Sequence, residues 1–400
     1  MNSEKLDEFN SILETLDDIN ESSGVSFHVP SQKKDRRVIK SDYKDYKSYT
    51  KKMRNLIIKR NIRGAKVVNE IMPFDFKPEK KCADRKKKGI ILIHGLWNTP
   101  YSMRPLGKFF SKNCFRARGI LLNGHGTRME DNFKVNYKDW MKLVNWNIEE
   151  FKKDVDEVYL LGSSLGGALS VRMAIDKKYI KGIFLFSPAL SLPWYSFMLS
   201  PSSLFVDYMK KRKEDDFYCY RSADVNGPLQ THRLAKEIET LLERQTLDVP
   251  VLSFLFAGDR RALDPKKVHK IMVKGFKKLN SILYLEKDTD LSYLKEFGGR
   301  PKKVKSYNLK ERIYGQSHLS LITPPNDFYY GKSGAYKDCE HYPEKSENFK
   351  ACKSEKYNDI VWTGEATKKN LKKGLMRRLR YNPLWKSMLK EIKNHFQVLQ

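Results

Sequence analysis

The sequence predicts an α/β fold with a mostly parallel central sheet flanked by helices and a cap insertion. Three observations predict it. Short, uniformly apolar segments recur through the middle of the chain, each too hydrophobic for a half-exposed antiparallel strand. Stretches of helical period alternate with them, as in a sheet covered on both faces. One of these strands, Val158-Tyr159-Leu160-Leu161, runs directly into Gly162-Ser163-Ser164-Leu165-Gly166 and then a helix starting Gly167-Ala168-Leu169. That turn is so tight that a side chain at either flanking glycine would clash, and it lifts the Ser164 hydroxyl clear of the sheet.

The elements follow in order. Residues 4–19 carry Leu6, Phe9, Ile12, Leu13, Leu16 and Ile19 at helical spacing with an acidic outer face. After a basic link to about Lys40, residues 44–63 read as a second helix, with Met53, Leu56, Ile57 and Ile58 among Lys and Arg. That helix either lies on a membrane surface or packs on the main domain. Residues 1–80 are thus an N-terminal helical, basic extension.

The core is assigned to residues 81–189 and 248–400. Its strands are expected at 89–93, 116–122, 158–161, 182–186, 249–256 and 281–285, and its helices at 102–113, 138–152, from the turn to about Lys178, and 265–279. Residues 286–312 read as an irregular basic insertion. Leu371, Leu375 and Leu379, then Trp385, Met388, Leu389, Ile392 and Phe396, suggest C-terminal helices covering the sheet. Residues 190–247 are too long for an ordinary connection and form the cap or lid. Its aromatic start, Trp194 to Leu199, either lines an acyl pocket or anchors the cap.

Bulk properties narrow the function classes. The 400 residues carry a net charge of +29 and are 40% hydrophobic, enough for one large core with an accessory part. No apolar run of about 18 residues predicts a spanning helix, and the N-terminus has no apolar stretch of a secretory signal. The lysines are spread along the whole chain and form no nucleic-acid motif, so no nucleic-acid partner is expected. An anionic membrane surface remains a partner compatible with the charge. The five cysteines form no CxxC pair, which argues against metal. Cys82 and Cys114 each precede a predicted strand and could pair if those strands are parallel neighbours; Cys339 and Cys352 bracket a polar loop. Five thiols would place the protein in the cytoplasm, two disulfides in the periplasm or outside the cell.

A serine hydroxyl is a weak nucleophile near neutral pH and needs a base, itself oriented by an acid. With the nucleophile on such a turn, the chain order is Ser, acid, His. Asp259 directly follows a buried strand, at the end where open α/β sheets bind ligands. Its rival Asp264, before Pro265, suits a helix N-cap. Of the later histidines, His269 falls in a helix, His341 in the cysteine loop and His395 in the terminal helix; His318 sits in a polar loop. The base is therefore His318. The oxyanion of a tetrahedral intermediate needs two backbone donors, expected at the N–H groups of Leu165 and Leu96. His94 and His125 are read as structural.

His94-Gly95-Leu96, Gly124-His125-Gly126-Thr127, the Ser164 turn, Asp259 and His318 together resemble α/β-hydrolases of the carboxylesterase and monoacylglycerol-lipase (lysophospholipase-like) type, over residues 89 to about 321. The resemblance implies a serine ester hydrolase with an acyl-enzyme intermediate, acting on an acyl ester or lipid, without cofactor or metal. Ser164, Asp259 and His318 match the family's nucleophile, acid and base positions, and Leu96 and Leu165 its oxyanion positions. The alternatives are an amidase or peptidase on the same triad, or a non-catalytic relative binding anionic membrane. Oligomeric state is left open. The loops from Ser317 to Cys352 lie beyond the generic pattern and are expected to shape the mouth of the site.

Overall fold

The computed structural model describes residues 43–60, 65–79, 82, 86–193, 207–212 and 214–398. The expected helix at 4–19 and the aromatic segment from Trp194 to Leu199 lie outside them.

The centre is an eight-stranded sheet in the order β1-β3-β2-β4-β5-β8-β9-β10. Its members are β1 (Phe74–Phe76), β2 (Lys88–Ile93), β3 (Phe115–Ile120), β4 (Glu157–Ser163), β5 (Ile180–Phe186), β8 (Val251–Phe256), β9 (Leu279–Leu285) and β10 (Lys302–Lys305). Every pairing is parallel except β1 with β3. The helices are α1 (Tyr46–Arg60), α2 (Ala65–Ile71), α3 (Arg104–Lys112), α4 (Tyr137–Lys152), α5 (Leu165–Asp176), α6 (Asn226–Arg244), α7 (Pro265–Gly275), α8 (Tyr293–Phe297), α9 (Glu347–Lys353), α10 (Lys368–Leu371) and α11 (Trp385–Val398). Two short pairs, β6 (Tyr208–Lys210) with β7 (Ala223–Asp224) and β11 (Trp362–Gly364) with β12 (Met376–Arg378), lie apart from the main sheet.

Strand alternation sorts the core into two layers. Ile91, Ile93 and Leu160 meet Trp140 and Val144 of α4, Leu169 of α5, Leu234 and Ile238 of α6, and Val268 and Met272 of α7. Ile90, Leu92 and Leu161 face the other way, onto Leu106 and Phe110 of α3 and Met388 and Ile392 of α11. Both faces are apolar because both are covered.

Chain order fixes where the sheet opens. β2 leads to β3 on one side, whereas β4 and the strands after it lie on the other, with Ile93 of β2 opposite both Ile120 and Gly162. The reversal between β2 and β4 makes a crevice at their carboxyl ends, the usual ligand site of open α/β sheets.

Helix α1 settles its two readings. Tyr49, Met53 and Ile57 are buried against Leu121, Leu143 and a group of tyrosines, a burial worth on the order of 5 kcal/mol over exposure. The helix packs on the core. Two expectations fail. Residues 286–312 hold α8 and an edge strand, β10, paired in parallel with β9. Residues 372–379 do not continue the short helix that ends at Leu371: Gly374 takes φ +133 and Met376–Arg378 pairs in parallel with Trp362–Gly364. Cys82 is bonded to Cys114 and Cys339 to Cys352; the first bridge ties a residue six positions before β2 to the residue before β3, and the two strands are parallel neighbours.

Candidate active site

Ser164 closes β4 and opens α5 with φ 53 and ψ −116, a left-side conformation that a non-glycine residue adopts only under constraint. The constraint is visible around it. A Cβ on Gly162 would sit 2.1 Å from the Gly166 carbonyl oxygen, and one on Gly166 would sit 2.0 Å from that of Ile93. Only glycine permits either approach. The Ser164 N–H donates to the Phe186 carbonyl at 3.0 Å, and its own carbonyl accepts from Ala189 at 2.9 Å. Ser164 is thereby pinned between β2 and β5.

Leu165 is the first residue of α5, so its N–H has no acceptor within the helix. The loop after β2 crosses the same point: a Cβ on Gly95 would lie 3.2 Å from that of Ser164. His94, fully buried, shapes this loop. Its Nδ1 meets the Gly95 carbonyl at 2.8 Å and its Nε2 accepts from the Leu122 N–H at 3.1 Å. Burial and the neighbouring His125 hold its pKa well below the usual imidazole range. The next residue but two, Trp97, takes φ 63 and donates from Nε1 to Asp224 at 2.7 Å. That bond ties the loop to the segment between β5 and β8.

Asp259 follows β8 and is fully buried, and its Oδ2 lies 2.5 Å from His318 Nδ1. Its Oδ1 also accepts from the Ala262 N–H at 3.2 Å. Asp264 instead accepts from the Lys267 N–H at 3.1 Å, as a helix cap. The loop carrying His318 is held by buried partners. The His318 N–H donates to Glu365 Oε2 at 3.0 Å, Gln316 Nε2 donates to Asn382 at 2.7 Å, and Ser320 bonds Gln316 at 2.5 Å. His269, His341 and His395 lie elsewhere: the first two bond the carbonyls of Gly298 and Met376, and the third packs on Phe184.

Ser164, His318, Gly95 and Leu96 line one cavity of about 310 Å³. Cys219 lines it too, but burial pushes its thiol up to about 11, leaving little thiolate to compete as a nucleophile. Leu192, Pro193, Met209 and Ile322 supply apolar wall. The rest of the lining is rich in charge: Lys210, Arg221, Arg261, Arg378 and Arg380, with Asp338 and Glu340. Sequence reasoning missed this wall, because in a chain this rich in lysine and arginine no local pattern marks these residues.

A serine on a strand-to-helix turn at the reversal point of a mostly parallel sheet, lining one cavity with the histidine of the Asp259–His318 pair, decides the fold. The chain has the α/β-hydrolase fold. A family model described as serine aminopeptidase, S33, matches residues 84–215 of this chain. A thermostable monoacylglycerol lipase of Bacillus sp. (strain H-257) is 26% identical over 183 residues, covering 44% of this chain and 72% of that protein. Among solved structures, one of the metagenome-derived lipolytic enzymes LipS and LipT aligns at 19% identity and a TM-score of 0.47, over 54% of this chain and 87% of that one. The monoacylglycerol lipase of Paleococcus ferrophilus aligns at 18% identity and a TM-score of 0.43, over 56% and 94%.

Proposed function

We propose that this hydrolase cleaves carboxylic esters by a serine mechanism, with Ser164 as nucleophile, His318 as base and Asp259 as the acid that orients it. The observation that carries the reading is the His318–Asp259 contact of 2.5 Å on the cavity that Ser164 also lines. With Nδ1 engaged by the carboxylate, the imidazole is held in the tautomer whose Nε2 can accept a proton. Ser164 Oγ attacks the acyl carbon as its proton passes to His318. The N–H groups of Leu165 and Leu96 receive the developing oxyanion, each contributing about 3 kcal/mol to barrier lowering. His318 returns the proton to the leaving alcohol. Water, deprotonated by the same imidazole, then releases the acid from the acyl-enzyme.

Leu192, Pro193, Met209 and Tyr220, from the residues between β5 and β8, line the same cavity as Ser164, which supports a cap role for that part of the chain. The monoacylglycerol lipase likeness favours an acyl lipid as substrate, whereas the aminopeptidase description of the matching family keeps amides as a second reading. Two disulfides fit an oxidising compartment.

The test is labelling with a fluorophosphonate, mapping of the modified residue, and turnover of p-nitrophenyl esters beside matched anilides. Ester turnover with the label on Ser164, both lost in Ser164→Ala by about 10⁴-fold or more, is the expected result. Faster anilide turnover would assign an amidase. Absence of label with salt-sensitive liposome binding would leave a non-catalytic membrane binder.

A further inference from the structure

The turn that follows β2 is held from outside the sheet. The Asn98 N–H donates to the Gly95 carbonyl at 3.2 Å, which closes a four-residue turn with Leu96 and Trp97 at its centre. Trp97, at the third position, takes φ 63. Positive φ there is the type II pattern, which favours glycine. A bulky side chain keeps such a backbone only when its neighbours hold it there. Leu96, whose N–H is an oxyanion donor in the reading above, directly precedes this strained residue.

Trp97 is fastened by residues between β5 and β8. Its indole Nε1 donates to Asp224 Oδ1 at 2.7 Å, and its carbonyl accepts from the Tyr220 N–H at 2.8 Å. Two residues on, the Thr99 hydroxyl donates to the Tyr218 carbonyl at 3.0 Å. The indole ring packs with Met129, Tyr208 and Tyr220. Asp224 is fully buried and also accepts from the Gly227 N–H at 2.8 Å and from Asn132 Nδ2 at 3.1 Å. Burial pushes its carboxyl above the usual range, and the Trp97, Gly227 and Asn132 donors work against that rise. The indole N–H thus stabilises the carboxylate, and the carboxylate keeps the indole in place. Ser164, Leu96 and Trp97 line the cavity at Ser164, whereas Asp224 does not. Any effect of Asp224 on the reaction must therefore pass through the turn.

We propose that Trp97 and Asp224 are positioning residues for the oxyanion hole: their hydrogen bond holds the strained turn in the conformation that aims the Leu96 N–H at the oxyanion. The proposal rests on the ester-hydrolase reading above and adds the pair that sets one of its two donors. Such a donor matters most when charge has built up on the oxygen. Misplacing it therefore weakens transition-state binding more than substrate binding.

The test uses the full chain with Trp97→Phe, Asp224→Asn and both together, its active sites counted by the end-point of fluorophosphonate labelling. Phe keeps an aromatic ring and lacks the N–H; Asn keeps the shape of Asp but turns an N–H toward one of the three donors. Each single variant is expected to lower kcat per active site on a p-nitrophenyl ester by about 10- to 100-fold, with KM within about threefold. Affinity for an alkylboronic acid, which forms a tetrahedral adduct on the serine, should fall by the same factor as kcat/KM. The double variant should be no slower than the slower single one, because both changes remove one bond. A purely structural role would lower the count of active sites and leave kcat per site unchanged. That outcome, a rise in KM alone, or boronic acid affinity that holds while kcat falls, overturns the positioning role and leaves the ester reading standing. If Asp224→Asn yields no folded protein, Trp97→Phe decides by the same criteria. Absence of both ester turnover and label in the parent chain overturns the ester reading and this proposal with it.

Discussion

Two parts of the lining of the cavity at Ser164 are built by different physics. At the ends of β2 and β4, position is set by backbone packing: Gly162 and Gly166 let the turn approach within distances no side chain allows, and Ser164 is bonded through its own backbone. Elsewhere in the lining, the wall carrying Arg221, Asp338, Glu340, Arg378 and Arg380 is held by ion pairs. Arg380 lies between Asp338 and Asp216 and over the Tyr330 ring at 4.1 Å, and Glu365 pairs with Arg378 at 2.7 Å. One side is rigid because atoms exclude each other. The other is rigid only while its charges stay matched, so it responds to pH and to single charge losses.

The strand-end side is broken most sharply through chemistry. Asp259→Asn keeps the shape of the carboxylate but presents the wrong hydrogen-bonding group to His318. We expect kcat to fall by about 10⁴-fold, equivalent to about 5.5 kcal/mol of barrier, measured on a p-nitrophenyl ester. A fall of less than about tenfold would remove Asp259 from the orienting role.

The wall is broken through stability. Arg380→Met should leave the Asp338 and Asp216 carboxylates buried without their cation, at a cost of about 3–5 kcal/mol. Urea unfolding reads it. If instead the variant is as stable as the parent, the ion pairs are not what holds the wall.

This contrast also explains what could be read from residues alone. Steric rules act between near neighbours in sequence, so the Gly162-to-Gly166 turn announces itself, and the buried strands β2, β4, β5 and β8 announce themselves by hydrophobicity. Edge strands do not. β10 is Lys302-Lys303-Val304-Lys305, charged as edges often are to prevent pairing with other chains, and it reads as loop. Spacing misled at Leu371, Leu375 and Leu379: the four-residue interval mimics a helix, but Gly374 breaks it and tertiary pairing with Trp362–Gly364 takes over. The partners of Arg380 lie 42 and 164 positions away (380 − 338 and 380 − 216), a separation that no window of sequence reveals. Order along the chain singled out Asp259 and His318; nothing comparable exists for Arg261 or Lys210.

The wall has a covalent staple whose removal sharpens the contrast. Cys339–Cys352 closes a span of 13 residues, and cross-linking such a loop stabilises by about 3 kcal/mol in the chain-entropy account. Cys339→Ala/Cys352→Ala should lower unfolding stability by that amount. Because the Ser164 turn draws nothing from this loop, fluorophosphonate labelling of the folded variant should keep its rate. A loss of labelling equal to the loss of stability would show that the two sides unfold as one.

The smallest effect concerns two histidines, one on each side. Burial brings His341 down to about 4, with Arg261 and Arg378 adding to it against Asp338 and the hydrogen bond to the Met376 carbonyl. Burial also brings His125 down to about 4, against its contacts with the Asn123 and Leu122 backbone. An unfolded imidazole titrates near about 6.5. Between about 6.5 and 4 the unfolded chain therefore binds more protons than the folded one, and stability must fall as pH is lowered through that window. The ceiling is about 3 kcal/mol for each group, and His341, only partly buried, falls short of it. Asp338 responds separately: burial raises it, but Arg380 and Arg378 prevail and hold it at about 2, so its stabilisation is lost only as pH falls below about 4. Unfolding midpoints against pH should thus show an upper slope shared by both sides and a lower one from the wall. His341→Gln should flatten part of the upper slope. An unchanged slope in that variant would mean that the folded wall takes up a proton at residue 341 freely, and that its charges are less tightly matched than their geometry implies.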